Sequence, residues 1–143
     1  MVDGARPKIL VVTRNLPPLV GGMERLNLEL VRSLADWAEV RVIGPNGAAE
    51  ALSPIPVTEI ALKPLARFLG GAGLAAVREA RRWKPDIVLA GSGLMAPVVT
   101  IAAFVAGAAS AAYVHGLDIV ARHPVAASAA YVHGLDIVAR HPV

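Results

Sequence analysis

The chain has 143 residues, of which 55% are hydrophobic and 17% are charged, with a formal net charge of +3. This length suits one domain with its own core, and so apolar a composition excludes a disordered chain. Cysteine is absent, so there is neither a disulfide framework nor a thiolate nucleophile, as is common in a reducing compartment. The basic residues do not cluster with aromatic ones, so no nucleic-acid partner is expected.

Apolar runs and helical periodicity alternate along the chain. Runs rich in Val and Ile predict strands, whereas Met23, Leu26, Leu30 and Leu34 recur at the spacing of an amphipathic helix. Three glycines at 70, 71 and 73 are expected to break the segment before a basic helix. The predicted strands are 8–13, 39–44, 56–62, 87–90 and 111–115, and the predicted helices are 23–34, 74–83 and 94–105. This order predicts an α/β fold, a Rossmann-like parallel sheet with helices on both faces.

The run 87–114 contains no charged residue and is long enough to cross a bilayer. Gly91, Gly93 and Pro97 interrupt it near one end. A buried strand, helix and strand therefore explain the run better than a membrane span. The N-terminus shows no secretory signal pattern, and a cytoplasmic location is expected.

In an open parallel sheet, ligands bind beyond the carboxyl ends of the strands. The Gly21–Gly22 pair precedes a helix, where bare backbone amides and the helix dipole suit a phosphate, although two glycines can equally make a simple turn. Glu24 in the first helical turn is expected to be structural. The residues that follow three of the predicted strands, and so face one crevice, are Arg14, Asn15, Gly21 and Gly22; Gly91, Ser92 and Gly93; and His115, Gly116 and Asp118.

His115 can exchange a proton near neutral pH, and its place after a strand favours a catalytic role over that of a hydrogen-bonded structural histidine. Asp118 could contact a substrate hydroxyl or cap the next helix. His123 lies beside Pro124 without the partner spacing of a metal site. Neither a metal ion nor another cofactor is expected.

Three segments resemble the N-terminal domain of family 4 glycosyltransferases, which are retaining enzymes of GT-B architecture: TRNLPPLVGGMERLNLELVRSL, KPDIVLAGSGLMAP and AYVHGLDIV. The resemblance implies that this half binds an acceptor and that a second Rossmann-like half binds a nucleotide-sugar donor. It places Gly21 and Gly22 near the donor phosphates and His115 beside the donor sugar as the catalytic residue. Arg14, Ser92, Gly116 and Asp118 are the other expected substrate contacts.

The donor-binding half of that family, with its Glu, seven residues, Glu pattern, does not occur in this sequence. Instead residues 108–125 and 126–143 are identical. We therefore expect a domain at 1–125 followed by a spare copy at 126–143, and no sugar transfer by this chain alone. Two copies are too few for a solenoid. Only one place for a strand exists beside 87–90, so the first copy is expected to fill it.

The second copy is then expected at an edge or surface, or poorly ordered, and its apolar strand could support self-association. Two other functions remain open. The chain could be a non-enzymatic α/β module that binds a nucleotide or a partner in the same crevice. The segments ALKPLARFLGG and REARRWK also allow contact with the inner face of a membrane, although a solvated basic helix face is the favoured interpretation.

Overall fold

The computed structural model describes residues 6–113, 130–132 and 137–140. Seven strands form one sheet, and four α-helices pack beside it within these residues. A short 3-10 turn, Gly93–Met95, leads into the last helix. In chain order the elements are β1 (Lys8–Val12), α1 (Gly22–Ala35), β2 (Glu39–Pro45), α2 (Ala48–Leu52), β3 (Val57–Ile60), α3 (Leu65–Trp83), β4 (Ile87–Ala90), α4 (Ala96–Ala106), β5 (Ala109–Tyr113), β6 (Ala130–Val132) and β7 (Ile137–Arg140).

The strands lie in the order β3-β2-β1-β4-β5-β7-β6, and the first five of these are parallel. Two apolar clusters, one on each face, hold the helices against the sheet. In β1, Leu10 and Val12 belong to the cluster with α3 and α4, whereas Ile9 and Val11 belong to the cluster with α1 and α2. A strand covered on both faces must be apolar at successive positions, which explains the uninterrupted run ILVV at residues 9–12. The predicted Rossmann-like α/β fold is confirmed.

The helix α3 begins at Leu65, nine residues before its predicted start, and it contains the three glycines that were expected to break it. Packing outweighs their low helix propensity, because Phe68 and Ala72 on this part of the helix are completely buried against the sheet. Gly71 also has a packing reason: a Cβ there would lie 2.9 Å from Cγ2 of Ile60 on β3. The prediction of a break was therefore wrong.

The uncharged run 87–114 folds as a strand, a 3-10 turn, a helix and a strand through its described residues, as predicted. No helix in the described parts of the chain combines the length and the hydropathy needed to cross a bilayer. The short helix α2 was not predicted, because its five residues, AAEAL, are too few to show a helical period.

The first copy of the duplicated segment supplies β5, which pairs in parallel with β4. This strand begins at Ala109, two residues earlier than predicted. The second copy supplies β7, which pairs antiparallel with β5, and β6, which pairs antiparallel with β7. Whether the fold survives deletion of 126–143 stays a prediction.

Candidate functional site

The loops that follow β1 and β4 meet at the carboxyl edge of the sheet. The Gly91 amide donates a hydrogen bond to the Val12 carbonyl oxygen at 3.0 Å, so the first residue after β4 lies directly beside the end of β1. A side chain on Gly91 would overlap Thr13. Glycine is therefore required at 91 for the two loops to touch.

A buried polar network supports the loop after β1. The Thr13 side-chain oxygen accepts hydrogen bonds from the Asn15 amide at 3.0 Å and from Nδ2 of Asn27 at 3.2 Å. Nδ2 of Asn27 also donates to the Asn15 carbonyl oxygen at 3.0 Å. Buried polar groups are costly unless they are paired, so these bonds stabilise one conformation of residues 13–15.

The inward face of α1 includes Leu30 and Leu34, as predicted, but it does not include Leu26. Asn27 is buried, with 1% of its surface exposed, whereas the neighbouring Leu26 is 42% exposed. Asn27 shares the helical stripe of Leu30, Val31 and Leu34, which are also buried. Its spacing of three and four residues from Leu30 and Val31 is the sequence signal that could have identified it.

The two glycines at the start of α1 have different surroundings. Oε2 of Glu24 accepts a hydrogen bond from Nδ2 of Asn15 at 2.9 Å, and the other carboxylate oxygen occupies the space that a Gly21 side chain would need. Nothing lies within 4 Å of the corresponding position on Gly22. A side chain at position 21 would therefore displace the Glu24 carboxylate, whereas the space beside Gly22 is open.

An open groove of about 550 Å³ runs beside this helix start. Its wall is mostly apolar, and Val20 at its rim is 98% exposed. Glu24 and Arg25 supply its charged side chains. The residues that line the groove are Pro17, Pro18, Leu19, Val20, Gly21, Gly22, Glu24, Arg25 and Leu28.

Three buried polar atoms have no hydrogen-bond partner among the described residues: Nε of Arg14, Oδ1 of Asn27 and the Ser92 hydroxyl oxygen. Ser92 is only 2% exposed. Since buried polar atoms are normally paired, these three atoms are expected to have a partner other than the described residues.

Four of the residues predicted from sequence lie in segments that follow strands at this edge of the sheet. Arg14 belongs to the loop after β1, Gly21 and Gly22 to the start of α1, and Ser92 to the loop after β4. The predicted residues His115, Gly116 and Asp118 lie outside the described residues. Within the described ranges, no three His, Cys, Asp or Glu side chains are arranged to hold a metal ion.

Comparison with protein families gives a match to Glycosyltransferase Family 4 over residues 20–139, which is most of the chain. The chain belongs to this family. A comparison with curated proteins gave no match.

Among solved structures, Anabaena HepE in complex with UDP is 24% identical and has a TM-score of 0.51, over 72% of this chain and 28% of HepE. Anabaena HepE in complex with UDP and glucose is 23% identical, with a TM-score of 0.49 over 73% and 29% of the two chains. The first of these likenesses supports the fold. This family 4 chain spans less than a third of the length of HepE.

Proposed function

We propose that the chain is the acceptor-side domain of a retaining glycosyltransferase. In the complete enzyme it would help to transfer a sugar from a nucleotide-sugar donor to an acceptor hydroxyl. The chain belongs to family 4, and one observation in its structure carries this proposal. Two loops meet at the carboxyl edge of the sheet, and buried polar atoms of Arg14 and Ser92 in these loops have no partner among the described residues.

In a sugar transfer, such an edge must position the substrates and stabilise the charge of the leaving group. Departure of a nucleoside diphosphate leaves negative charge that must be stabilised, and a retaining transfer needs the acceptor hydroxyl held on the face that the leaving group vacates. Arg14 contributes a guanidinium to the loop after β1 at this edge, and a guanidinium suits phosphate oxygens. We assign sugar or acceptor contacts to Ser92, Gly116 and Asp118, and the catalytic position beside the donor sugar to His115.

A uridine nucleotide is the first donor class to test, because HepE, which shares the fold, has been crystallised with UDP. The acceptor-side assignment predicts that this chain alone binds UDP-glucose weakly and does not turn it over. It also predicts that the binding is local to the carboxyl edge.

Amide chemical shifts measured by NMR during a UDP-glucose titration test this proposal. The expected result is that shifts concentrate in residues 13–15, 21–22 and 91–93. Shifts confined to another surface would contradict the site, as would the absence of any shift at millimolar ligand. A glucose titration is the matched control, because it lacks the nucleotide and both phosphates.

Peripheral membrane contact is a second proposal, which rests on the outer face of α4. Phe104 on that helix is 82% exposed and Ile101 is 59% exposed. The basic residues Arg78 and Arg82 belong to a different helix, α3, and they line a groove with Thr58 at the β3 edge of the sheet. Flotation with anionic liposomes at low and moderate salt, using Phe104→Ser and Arg78→Gln, tests it. Binding that persists in salt and is lost in Phe104→Ser supports apolar insertion, whereas no flotation contradicts membrane contact.

Self-association through the second copy is a separate proposal. Among the described residues β6 lies at one end of the sheet and pairs only with β7, and an unpaired strand edge is a template for another strand. Sedimentation of the full chain should show a concentration-dependent dimer that is absent after deletion of 126–143. A monomer at all concentrations would contradict this proposal.

A further inference from the structure

Arg14 lies between two residues that one buried side chain holds. Nδ2 of Asn27 donates to the Thr13 side-chain oxygen at 3.2 Å and to the Asn15 carbonyl oxygen at 3.0 Å. An amide nitrogen carries two hydrogens, so both are used, one on each side of Arg14. The two neighbours of Arg14 are therefore tied to a single carboxamide of α1.

The same loop is also fixed from the side of the sheet. The Thr13 amide donates to the Ile43 carbonyl oxygen of β2 at 3.0 Å, and the Asn15 amide donates to the Thr13 side-chain oxygen at 3.0 Å. Backbone groups before and after Arg14 thus have defined partners. Because φ and ψ are the only soft torsions of the backbone, these bonds leave the direction of the Arg14 Cα–Cβ bond little freedom.

Asn27 occupies a position in α1 where an apolar residue would suit the core. It shares a buried stripe with Leu30, Val31 and Leu34, and only 1% of its surface is exposed. A buried amide is costly unless its hydrogen bonds compensate, so packing alone does not explain an asparagine here. What the amide adds, and a leucine could not, is one defined conformation of residues 13–15.

The side chain of Arg14 is itself only partly free. Arg14 is half-buried, and its Nε is buried without a hydrogen-bond partner among the described residues. An arginine that must become ordered when it binds a ligand loses conformational entropy, and one whose backbone and inner side chain are already fixed loses less. The affinity of its guanidinium for an anion therefore depends on the groups that fix it.

We propose that Asn27 is a positioning residue for Arg14: its carboxamide fixes residues 13–15 and so sets where the Arg14 guanidinium meets an anionic ligand at the carboxyl edge of the sheet. Asn27 acts through Arg14 and does not itself contact that ligand. This inference rests on the proposed transferase function, in which the Arg14 guanidinium meets the donor phosphates.

Titration of inorganic pyrophosphate into the full chain tests the proposal, with the amide shifts of residues 13–15 giving the affinity. The variants are Asn27→Leu, Arg14→Gln and the two combined, since a residue that acts through another has no further effect once the other is removed. Val31→Ala is the matched control. It also weakens α1 from a completely buried position, but its side chain cannot form a hydrogen bond to the loop.

Arg14→Gln should bind pyrophosphate about tenfold more weakly than the wild type, because a charge-assisted contact is lost, and Asn27→Leu should bind it about fivefold more weakly. The combined variant should match Arg14→Gln, whereas independent effects would multiply to about fiftyfold. Val31→Ala should stay within about twofold of the wild type. Asn27→Ser is the second variant if Asn27→Leu does not fold.

A second measurement needs no ligand. Hydrogen exchange at Nε of Arg14, followed by NMR, should be slow in the wild type, because that atom is buried. In Asn27→Leu the rate should rise toward that of an exposed arginine such as Arg78, and in Val31→Ala it should not. An exchange rate that Asn27→Leu leaves unchanged would show that Asn27 does not fix Arg14.

Unchanged pyrophosphate affinity in Asn27→Leu would overturn the proposal, and so would multiplied losses in the combined variant or an equal loss in Val31→Ala. Absence of pyrophosphate binding to the wild type would also overturn it, because Arg14 would then meet no anion. The UDP-glucose titration is independent. If pyrophosphate binding depends on Asn27 through Arg14 but UDP-glucose shifts no residue at the edge, the transferase function fails and the role of Asn27 stands.

Discussion

The loops after β1 and β4 meet at the same edge of the sheet, but they satisfy their polar groups in different ways. In the first loop, Asn15 donates hydrogen bonds to Thr13 and to Glu24 of α1, and Asn27 of α1 donates to both Thr13 and Asn15. In the second loop, the Ser92 hydroxyl is buried and has no partner among the described residues. The first loop is therefore stabilised mainly by hydrogen bonds within the protein, although Nε of Arg14 and Oδ1 of Asn27 are unpaired among the described residues, whereas the buried hydroxyl of the second loop forms no such bond there.

The contact that joins the loops should be the most sensitive to mutation. Gly91→Val would force a side chain into Thr13, and such overpacking should destabilise the fold by about 3 kcal/mol. Thermal unfolding followed by circular dichroism measures the loss. The control is Gly70→Ala in α3, where nothing lies within 4 Å and where alanine should stabilise the helix by up to about 1 kcal/mol. A Gly91→Val variant as stable as the wild type would mean that the loops are not in contact.

Removal of the buried amide should have the next largest effect. Asn27→Leu leaves the Asn15 carbonyl without its donor and should cost about 2 kcal/mol of unfolding free energy in urea. Leu26→Gln, at the exposed neighbouring position, should cost less than about 0.5 kcal/mol. If Asn27→Leu is instead stabilising, the network does not support the loop and the comparison between the two loops fails.

Alanine substitution at Gly21 and at Gly22 should change the unfolding free energy by different amounts. Gly21→Ala displaces the Glu24 carboxylate and should cost about 1 kcal/mol, because the bond from Asn15 is lost. Gly22→Ala should leave the stability unchanged, since its side chain would enter open space. Urea unfolding of both variants measures the difference. Equal losses of unfolding free energy would show that the Glu24 carboxylate does not lie against Gly21.

Ser92→Ala should have the smallest effect on stability, within about 0.5 kcal/mol, because the hydroxyl forms no hydrogen bond within the described residues. The variant should nevertheless reduce the UDP-glucose shifts at 91–93. A loss of more than about 1 kcal/mol would instead assign the hydroxyl a partner within the protein, and the second loop would then resemble the first.

Much of this fold could be predicted from local patterns. Buried parallel strands are continuously apolar, so 8–13 and 87–90 were recognisable, and the helices between strands imply the crossovers. The full length of α3 was not recognisable from sequence, because its first half is helical only through the packing of Phe68 and Ala72 on the sheet. Local propensity at three glycines cannot reveal that packing.

The candidate site was predicted less completely. Topology alone placed Arg14, Gly21 and Ser92 at one edge, because the ends of parallel strands lie together. The role of Glu24 depends on the side chain of Asn15, nine positions away, and that distance is fixed only in three dimensions. Sequence spacing therefore located the edge, but it did not indicate that the Glu24 carboxylate lies against Gly21.

The most direct test of the central claim is a sugar-transfer assay with two proteins. One is the 143-residue chain, and the other is residues 1–125 joined to the donor-binding domain of a family 4 enzyme. We predict no release of UDP from UDP-glucose by the chain alone, and release by the joined protein that is lost in His115→Ala. Turnover of a nucleotide sugar by the chain alone would contradict its assignment as the acceptor-side half of a transferase.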